Sequence, residues 1–547
     1  MARLRADAPA AAQGGDQGEI SLWLRIGVLG HRNVRPDHPG LIDSINAALA
    51  AVNHELASLR VPPTRVCLAA VSSLAEGADR ILAREILARE AEVGWGARIE
   101  AILPLDKENY REDFGSAESR EEFDHLLDGA IVDVIGQAES REHAYEAAGQ
   151  AVVDRSDIVI VIWDGEPARG RGGTAEIRAY ALQRNKPVFW IRVDRDSAVL
   201  TEWPDLDASH LMLTPGAWRR IDHYNRLPLR RVSFAQVPEA LTFLGEIARG
   251  HAGSTAELLV HHVWRYFVRA DAVAGKFQRR WMWLTRLLYA LAALAVALVA
   301  AQVLFEPHHE GYAWFEFGTL VAVTVIVLVA RFSHWHERWI SARYLAEQIR
   351  SLVFLGLAGV ITYDDASAGH GAKLAGEPRW TERAVAEVWW SRPRNDLRDE
   401  PGVLRHVLEE GWILDQLKYH QSTSDKYARR SRRFTVAAVG LFTLSAVAAL
   451  LHSLGHESQN PARVLSFFSI VIPALGAAIS GYAAQRDYAR HSERSLRFAA
   501  ELTEARRQLR DAKDVAGIQQ VVLSISRLMR GEATDWYAVV RSQELQP

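Results

Sequence analysis

The chain has 547 residues, room for two to four domains, and its 64 Lys and Arg nearly balance 67 Asp and Glu, leaving a formal net charge of −3. This is not the basic excess that nucleic-acid binding calls for, so no nucleic-acid partner is expected. A single cysteine, Cys67, excludes a disulfide framework and a cysteine-based zinc site, and fits a reducing compartment.

Met1–Gly18 is rich in Ala, Gly and Asp without an apolar core, so residues 1–19 read as an unstructured N-terminus rather than a signal peptide. Leu22–Leu29 predicts a strand ending at Gly30-His31-Arg32. Pro36–Leu59 carries Leu41, Ile45, Leu49, Val52 and Leu56 on one helical face. Arg65–Val71 predicts a second strand that breaks at Ser72-Ser73, with a helix over Leu74–Arg89. Ser72 and Ser73 read most simply as N-caps, Glu76 as the acid of a capping box, and Asp79 with Arg80 as a surface pair. A third strand, Ile99–Leu103, stops at Pro104. In the insertion Lys107–Arg155, the rings of Tyr110, Phe114, Phe123 and Tyr145 read as two helices packing on a sheet; stacking of Tyr110 or Tyr145 on a base is the alternative. His31 and His125 lack partners at metal-ligand spacing, so no metal is assigned.

Asp157–Glu176 is the most informative stretch. A strand, Ile158–Ile162, stops at Trp163-Asp164-Gly165, and a loop follows with Arg169, Gly170, Arg171, Gly172 and Gly173. A helix then runs from Thr174 to about Arg184. Strand, glycine loop and helix N-terminus in that order make an anion site, because unhindered N–H groups and the helix dipole face the same way. Glu176 in the first turn would repel phosphate, so it is assigned a ribose hydroxyl. With Thr174 as N-cap, the capping-box position would be Ile177, which leaves Glu176 unexplained as a cap. Pro187–Val193 is a fifth strand. Strands alternating with helices predict an α/β, doubly wound parallel sheet over 20–250, with the ligand beyond the carboxyl ends of the strands. Gly30–Arg32, Ser72–Asp79, Pro104–Asp106 and Trp163–Glu176 all follow strands, so one crevice could collect them.

The second half reads as two membrane hairpins in modules 251–356 and 413–505. Leu287–Phe305, Phe317–Phe332, Phe434–Leu451 and Val464–Ala484 are apolar runs long enough, or nearly so, for a ~30 Å hydrocarbon core. Arginines cluster on the outer flanks of each hairpin, whereas the hairpin loops contain only Arg463. The positive-inside rule then puts the loops outside, and the N-terminal domain and C-terminus in the cytoplasm of a multi-pass inner-membrane protein. The hairpins also read as copies: Lys276-Phe277-Gln278-Arg279-Arg280 against Lys426-Tyr427-Ala428-Arg429-Arg430, with Glu and Arg one turn apart after each second span on a helix expected to continue without interruption. Residues 357–412, with Trp380, Trp389, Trp390 and Trp412, read as a soluble connector. Residues 506–547 read as a C-terminal helix, the continuation of one charged amphipathic helix over Glu501–Tyr537.

The segments Gly27-Val28-Leu29-Gly30-His31-Arg32, Ser73-Leu74-Ala75-Glu76-Gly77-Ala78-Asp79-Arg80, Trp163-Asp164-Gly165 and Gly172-Gly173-Thr174-Ala175-Glu176 resemble the SLOG superfamily. That group includes the LOG phosphoribohydrolases, Smf-type DNA-processing proteins and the ligand-binding domain of TRPM channels. The resemblance implies a Rossmann-like domain that binds a nucleotide or an ADP-ribose-type signal through Gly30, His31, Arg32, Ser72, Ser73, Glu76, Asp79, Asp164, Gly165, Arg171, Gly172, Gly173, Thr174 and Glu176. The LOG loop, Pro-Gly-Gly-x-Gly-Thr-x-x-Glu, is only partly matched: Pro is absent, Arg171 stands at a glycine position, and the acid falls one position early. The hairpins resemble the SLATT-type effector, here in tandem. Together these imply a homo-oligomeric membrane effector without cofactor, in which a nucleotide-derived signal gates a pore in bacterial antiphage defence. The alternative is a membrane-tethered phosphoribohydrolase or NAD glycosidase with Glu176 as its catalytic acid.

Overall fold

A computed structural model describes residues 17–58, 66–93, 96–135, 139–167, 172–204, 215–229, 251–305, 310–360, 379–393, 396–454 and 459–541. Residues 1–16 and the loop residues Arg169, Gly170 and Arg171 lie outside them. The chain divides into two compact units, one built from the described parts of 1–236, 255–269 and 359–396, the other from the remainder.

The first unit is an α/β sheet. Its strands are β1 (Leu22–Gly30), β2 (Val66–Ser72), β3 (Ala97–Leu103), β4 (Ile131–Val134), β5 (Ile158–Trp163), β6 (Val188–Val193) and β7 (Ala198–Glu202). The order is β4-β3-β2-β1-β5-β6-β7, parallel except for the antiparallel edge pair β6–β7. The helices in chain order are α1 (Leu41–Ser58), α2 (Ala78–Val93), α3 (Lys107–Arg111), α4 (Ala117–Leu127), α5 (Arg141–Arg155), α6 (Thr174–Gln183) and α7 (Pro215–Asn225). The chain winds outward from β1 to β4 and then returns to place β5 on the other side of β1. Ile26, for example, is in register with both Ala70 and Ile158. This reversal makes the β1/β5 junction the topological switch point. β1 and β5 are buried almost throughout, which accounts for their unbroken apolar runs.

The expected α/β sheet is present, with two strands more than the sequence predicts. β4 lies inside the insertion 107–155, only four residues long and carrying a buried Asp133. β7, at the sheet edge, buries only Ala198 and then alternates exposed with half-buried positions. The helix expected from Leu74 starts at Ala78, because Leu74 (φ 54°) and Gly77 (φ 78°) take left-handed backbone conformations that a helix does not admit.

One helix of this unit comes from far downstream. α11 (Arg379–Trp390) fills a gap in the hydrogen bonding of β1, which pairs with β2 from Leu22 but with β5 only from Ile26. The backbone of Trp23 and Arg25 on the β5 side therefore needs other partners. Asp157 closes one step, its Oδ2 accepting from Arg25 N at 2.9 Å and its own N donating to Arg25 O at 2.8 Å. Glu387 Oε1 accepts from Trp23 N at 3.1 Å, and the Arg383 guanidinium donates to Trp23 O and to Asp157. Arg383 and Glu387, one helical turn apart, pair with each other at 2.9 Å. Buried Arg25 ties Glu387 to Glu100 at 3.0 and 3.1 Å, and Arg155 joins Glu100 to Asp133 at 2.7 and 2.6 Å. Burial alone would raise the Glu100 carboxyl, but the surrounding Arg25, Arg98 and Arg155 hold it well below the ordinary carboxylate range.

The second unit is helical. It contains most of α8 (His251–Phe305), then α9 (Glu310–Ser333), α10 (Trp335–Leu357), α12 (Pro401–Leu408), a π-helical turn (Glu409–Leu414), α13 (Asp415–Ser453), α14 (Gln459–Arg486), α15 (Tyr488–Asp511) and α16 (Val515–Arg541). Among the described residues, four of its helices are long and apolar enough to cross a membrane. Their apolar segments expose Val303, Phe317 and Phe332 in one hairpin and Val436, Leu450 and Leu454 in the other, a surface that lipid rather than water would cover. Hydroxyls within them, such as Thr324 and Thr443, bond to the carbonyl four residues back and so remain satisfied in hydrocarbon.

Two expectations for this unit are corrected. The helix leaving each second span is not continuous: His334 (φ 52°) and Asp487 (φ 41°) break it in the left-handed region before α10 and α15. Nor is the charged C-terminal stretch one helix, since α15 ends at Asp511 and α16 begins at Val515. Glu347 does pair with Arg350 one turn on, at 3.3 Å.

Candidate functional site at the carboxyl ends of the strands

The loops after β1, β2 and β5 emerge at the same end of the sheet, around the switch point. Gly30 is fixed by close approach: a Cβ there would lie 2.3 Å from the Ala78 Cβ and 2.8 Å from the Ile162 carbonyl oxygen. His31 N donates to Ile162 O and His31 O accepts from Ala78 N, both at 3.1 Å, so the first loop is clamped between β5 and α2. The His31 Nε2 then lies 2.9 Å from Asp164 Oδ1, joining two of the sequence motifs directly.

The second loop is differently built from the expected cap. Ser72 ends β2 instead of capping a helix. Its Oγ donates to Asp79 Oδ2 and accepts from Leu74 N, each at 2.9 Å. Glu76 completes no capping box either, and accepts from the Ser119 hydroxyl on α4. Asp79 and Arg80 are no surface pair, being 6% and 1% exposed. Arg80 pins the loop, donating to Leu74 O at 3.0 Å and to Ser119 O at 2.8 Å while its guanidinium lies 4.4 Å from the Phe114 ring centre. Burial pushes the Asp79 carboxyl up to about 7, against the Ser72 and Ala75 hydrogen bonds and the nearby Arg32 and Arg80 charges that favour its ionised form. A buried carboxyl near neutrality beside a cationic, exposed Arg32 is a marker of functional sites. Ser73 caps no helix either, since α2 begins only at Ala78.

The third loop also differs from the expected cap. Gly173, not Thr174, is the N-cap of α6, and Thr174 is its first helical residue. Glu176 is therefore the third residue of the helix, and its Oε2 accepts from Gly172 N at 2.8 Å. This is a capping-box arrangement displaced by one residue toward the loop. Gly165 (φ 92°) and Gly172 (φ 76°) use conformations that favour glycine, and a Cβ on Gly172 would meet Glu146 N of α5 at 2.8 Å. Arg32 lies 5.6 Å from the Tyr145 ring centre, so the first and third loops flank the same turn of α5. Tyr110 is buried edge-on against Phe114 and Phe123 (5.2 and 5.8 Å), which fits packing and not base stacking. Tyr145 donates to Asp113.

Gly77 offers a direct test of this geometry. A Cβ there would lie 2.4 Å from the Arg32 carbonyl oxygen at φ 78°. Gly77→Ala is expected to cost about 1–3 kcal/mol from the backbone conformation alone and to displace Arg32, measured as a lower melting temperature of the full chain.

Among known families, residues 410–536 match the SMODS and SLOG-associating 2TM effector domain 1, and residues 269–369 match a protein family of unknown function (DUF4231). The two hairpins thus fall to different families and not to tandem copies of one, although each ends its second span at a left-handed residue. No curated protein and no solved structure matches the chain. The region 410–536 contains the second hairpin, α15 and most of α16, and is a SLATT-like effector module in a chain with four candidate membrane-spanning helices among the described residues.

Proposed function

We propose that the chain is a ligand-gated membrane effector of a bacterial conflict system. The α/β unit, a SLOG-like domain, binds a nucleotide-derived signal of the ADP-ribose kind. Binding shifts the packing of the spans in a homo-oligomer so that the bilayer opens. The observation that carries this reading is the meeting of the β1, β2 and β5 loops at the switch point, with His31 against Asp164 and buried Asp79 beside Arg32. Gly173 and Thr174 would receive a phosphate at the N-terminus of α6, and Gly172, whose N–H is held by Glu176, would with Gly30, Ser72, Ser73, Glu76 and Gly165 shape the floor. Arg171, outside the described residues, would add charge. The signal-binding face and both termini would lie in the cytoplasm, at the inner membrane, as the arginine flanks of the spans favour.

Glu176 supports a receptor over a hydrolase, because its Oε2 accepts from the Gly172 N–H and so serves the loop at the start of α6. α8 supports coupling, since one unbroken helix carries both the residues 255–269 of the first unit and the first candidate span. Signal binding must favour the open state by about 10⁴-fold to move a population from 1:99 to 99:1, so tight ligand binding alone is not enough.

The test uses the full chain in dye-filled liposomes with ADP-ribose, NAD and cyclic nucleotides. One of them is expected to raise the melting temperature and to release dye, and Arg32→Ala to abolish both. Saturating ligand with no leakage or conductance overturns gating, and no thermal shift across the panel overturns ligand binding. Release of free base from AMP or NAD that Glu176→Gln abolishes would instead assign a membrane-tethered N-glycosidic hydrolase.

A further inference from the structure

A second pocket lies in the same unit at the opposite end of the sheet, around the amino ends of β1, β3 and β4. It has a volume of about 710 Å³ and is lined on one side by the first part of α8 and the end of α11. Its size is that of pockets that hold drug-sized molecules, typically about 300–1,000 Å³. Trp23, Ile99, Leu126, Val132, Tyr266 and Val388 give it mainly apolar walls.

The wall also carries the cations Arg98, Arg265 and Arg392, the carboxylates Asp128 and Glu387, and His125, His262 and Ser391, and the groups around Arg265 are oriented. Arg265 Nη2 lies 3.2 Å from His262 Nδ1 and donates to the Tyr266 hydroxyl, also at 3.2 Å. A guanidinium has only donors, so His262 Nδ1 must accept and the imidazole proton sits on Nε2. That nitrogen donates to Ser391 Oγ at 3.2 Å, and Ser391 donates onward to Val388 O at 3.2 Å. The run of hydrogen bonds therefore has one direction, beginning at Arg265. Arg98, the neighbouring cation, is compensated by Glu100 and lies 3.8 Å from the Trp23 ring centre. No carboxylate compensates Arg265 among the described residues, and its buried Nε has no hydrogen-bond acceptor. The wall thus holds a positive charge and a spare donor beside an apolar space.

We propose that this pocket is a binding site for a small amphipathic organic anion, with a ring-sized apolar body in the pocket and a carboxylate or phosphate on Arg265. The site is separate from the crevice at the carboxyl ends and does not depend on what that crevice binds. It touches α8 and α11 together, so an occupant would bear on the helix that continues into the first span and on the Arg383–Glu387 helix.

The experiment is saturation-transfer difference NMR on the full chain in nanodiscs, with empty nanodiscs as the blank and 1-naphthoate, 1-naphthyl phosphate and neutral 1-naphthamide as probes. At least one anion is expected to bind roughly 10- to 100-fold more tightly than the amide, the worth of a charge-assisted hydrogen bond. Arg265→Gln should remove that preference, and Ala130→Trp, at the pocket rim, should block all three probes. Val132→Phe provides a second filled pocket, and melting temperatures identify any variant that does not fold. Equal binding of acid and amide, an anion preference that survives Arg265→Gln, or binding unchanged in a folded filled variant overturns the proposal. The relative strength of naphthoate and naphthyl phosphate assigns the anionic group.

Discussion

Replacing Arg383 by alanine will destabilise the α/β unit by about 3–5 kcal/mol, the cost of leaving one partner of a buried ion pair uncompensated. Arg383 and Asp157 are each 3% exposed, and the guanidinium also serves the Trp23 carbonyl, so the variant strands both a carboxylate and a backbone acceptor. Arg383→Lys should recover little, because an ammonium cannot place donors on Asp157, Glu387 and Trp23 O with the geometry of a planar fork. Arg383→Ala combined with Asp157→Asn should recover part of the loss by removing the orphaned charge. The local readout is hydrogen exchange of the Trp23 and Arg25 amides, which donate to Glu387 and Asp157 and should lose protection before the rest of the sheet. The pH dependence has a defined sign. Burial pushes the Asp157 carboxyl up, but Arg383 and the Arg25 N–H outweigh it and hold the carboxyl below its ordinary value. The stabilisation it gives is therefore fully present above the unfolded pKa of about 4 and is lost as pH falls through the folded value. The gap between native chain and Arg383→Ala should be widest at neutral pH and shrink on acidification.

This arrangement also marks where sequence reading stops. The inner strands β1, β2, β3, β5 and β6 are legible because parallel strands covered on both faces need unbroken apolar runs, as in Ile158–Trp163. β4 is hidden because Asp133, paired with Arg155, interrupts its run, and β7 because an edge strand of five residues buries only one face. The crevice is legible at residues whose role is local. Gly30, Gly77, Gly165 and Gly172 follow from close approach or positive φ, and the strand ends place them. What depends on long-range partners is not legible. Nothing in the spacing of Ser72, Glu76 and Asp79 separates a helix cap from a buried loop in which Ser72 holds Asp79 and Ser119 holds Glu76. The pairing of Trp23 with Glu387 spans 364 residues and leaves no periodic signal. The four candidate membrane-spanning helices are readable from apolar length, whereas the left-handed breaks at His334 and Asp487 fall on residue types that give little warning.

Asp79→Asn is expected to stabilise the chain above neutral pH and to leave it unchanged in acid. The folded carboxyl titrates at about 7 against an ordinary 3.8, a gap of about three units that burial causes. At 1.36 kcal/mol per unit, ionised Asp79 costs the folded state up to about 4 kcal/mol. The sign follows from the proton count. Between pH 4 and 7 the folded carboxyl holds a proton that the unfolded one has released, so stability falls as pH rises through that window and levels off above 7. Asparagine retains an acceptor for the Ser72 hydroxyl and carries no charge, so its stability curve should be flat where that of the native chain declines. Urea unfolding at pH 5 and pH 8 tests this, and equal differences at the two pH values would show that the carboxyl is already ionised. The same proton bears on the proposed signal. A phosphate-bearing ligand near Arg32 meets a neutral Asp79 below pH 7 and a carboxylate above it, so affinity for ADP-ribose should weaken as pH rises through 7 in the native chain. In Asp79→Asn that decline should disappear, which separates an electrostatic role in the crevice from a purely structural one.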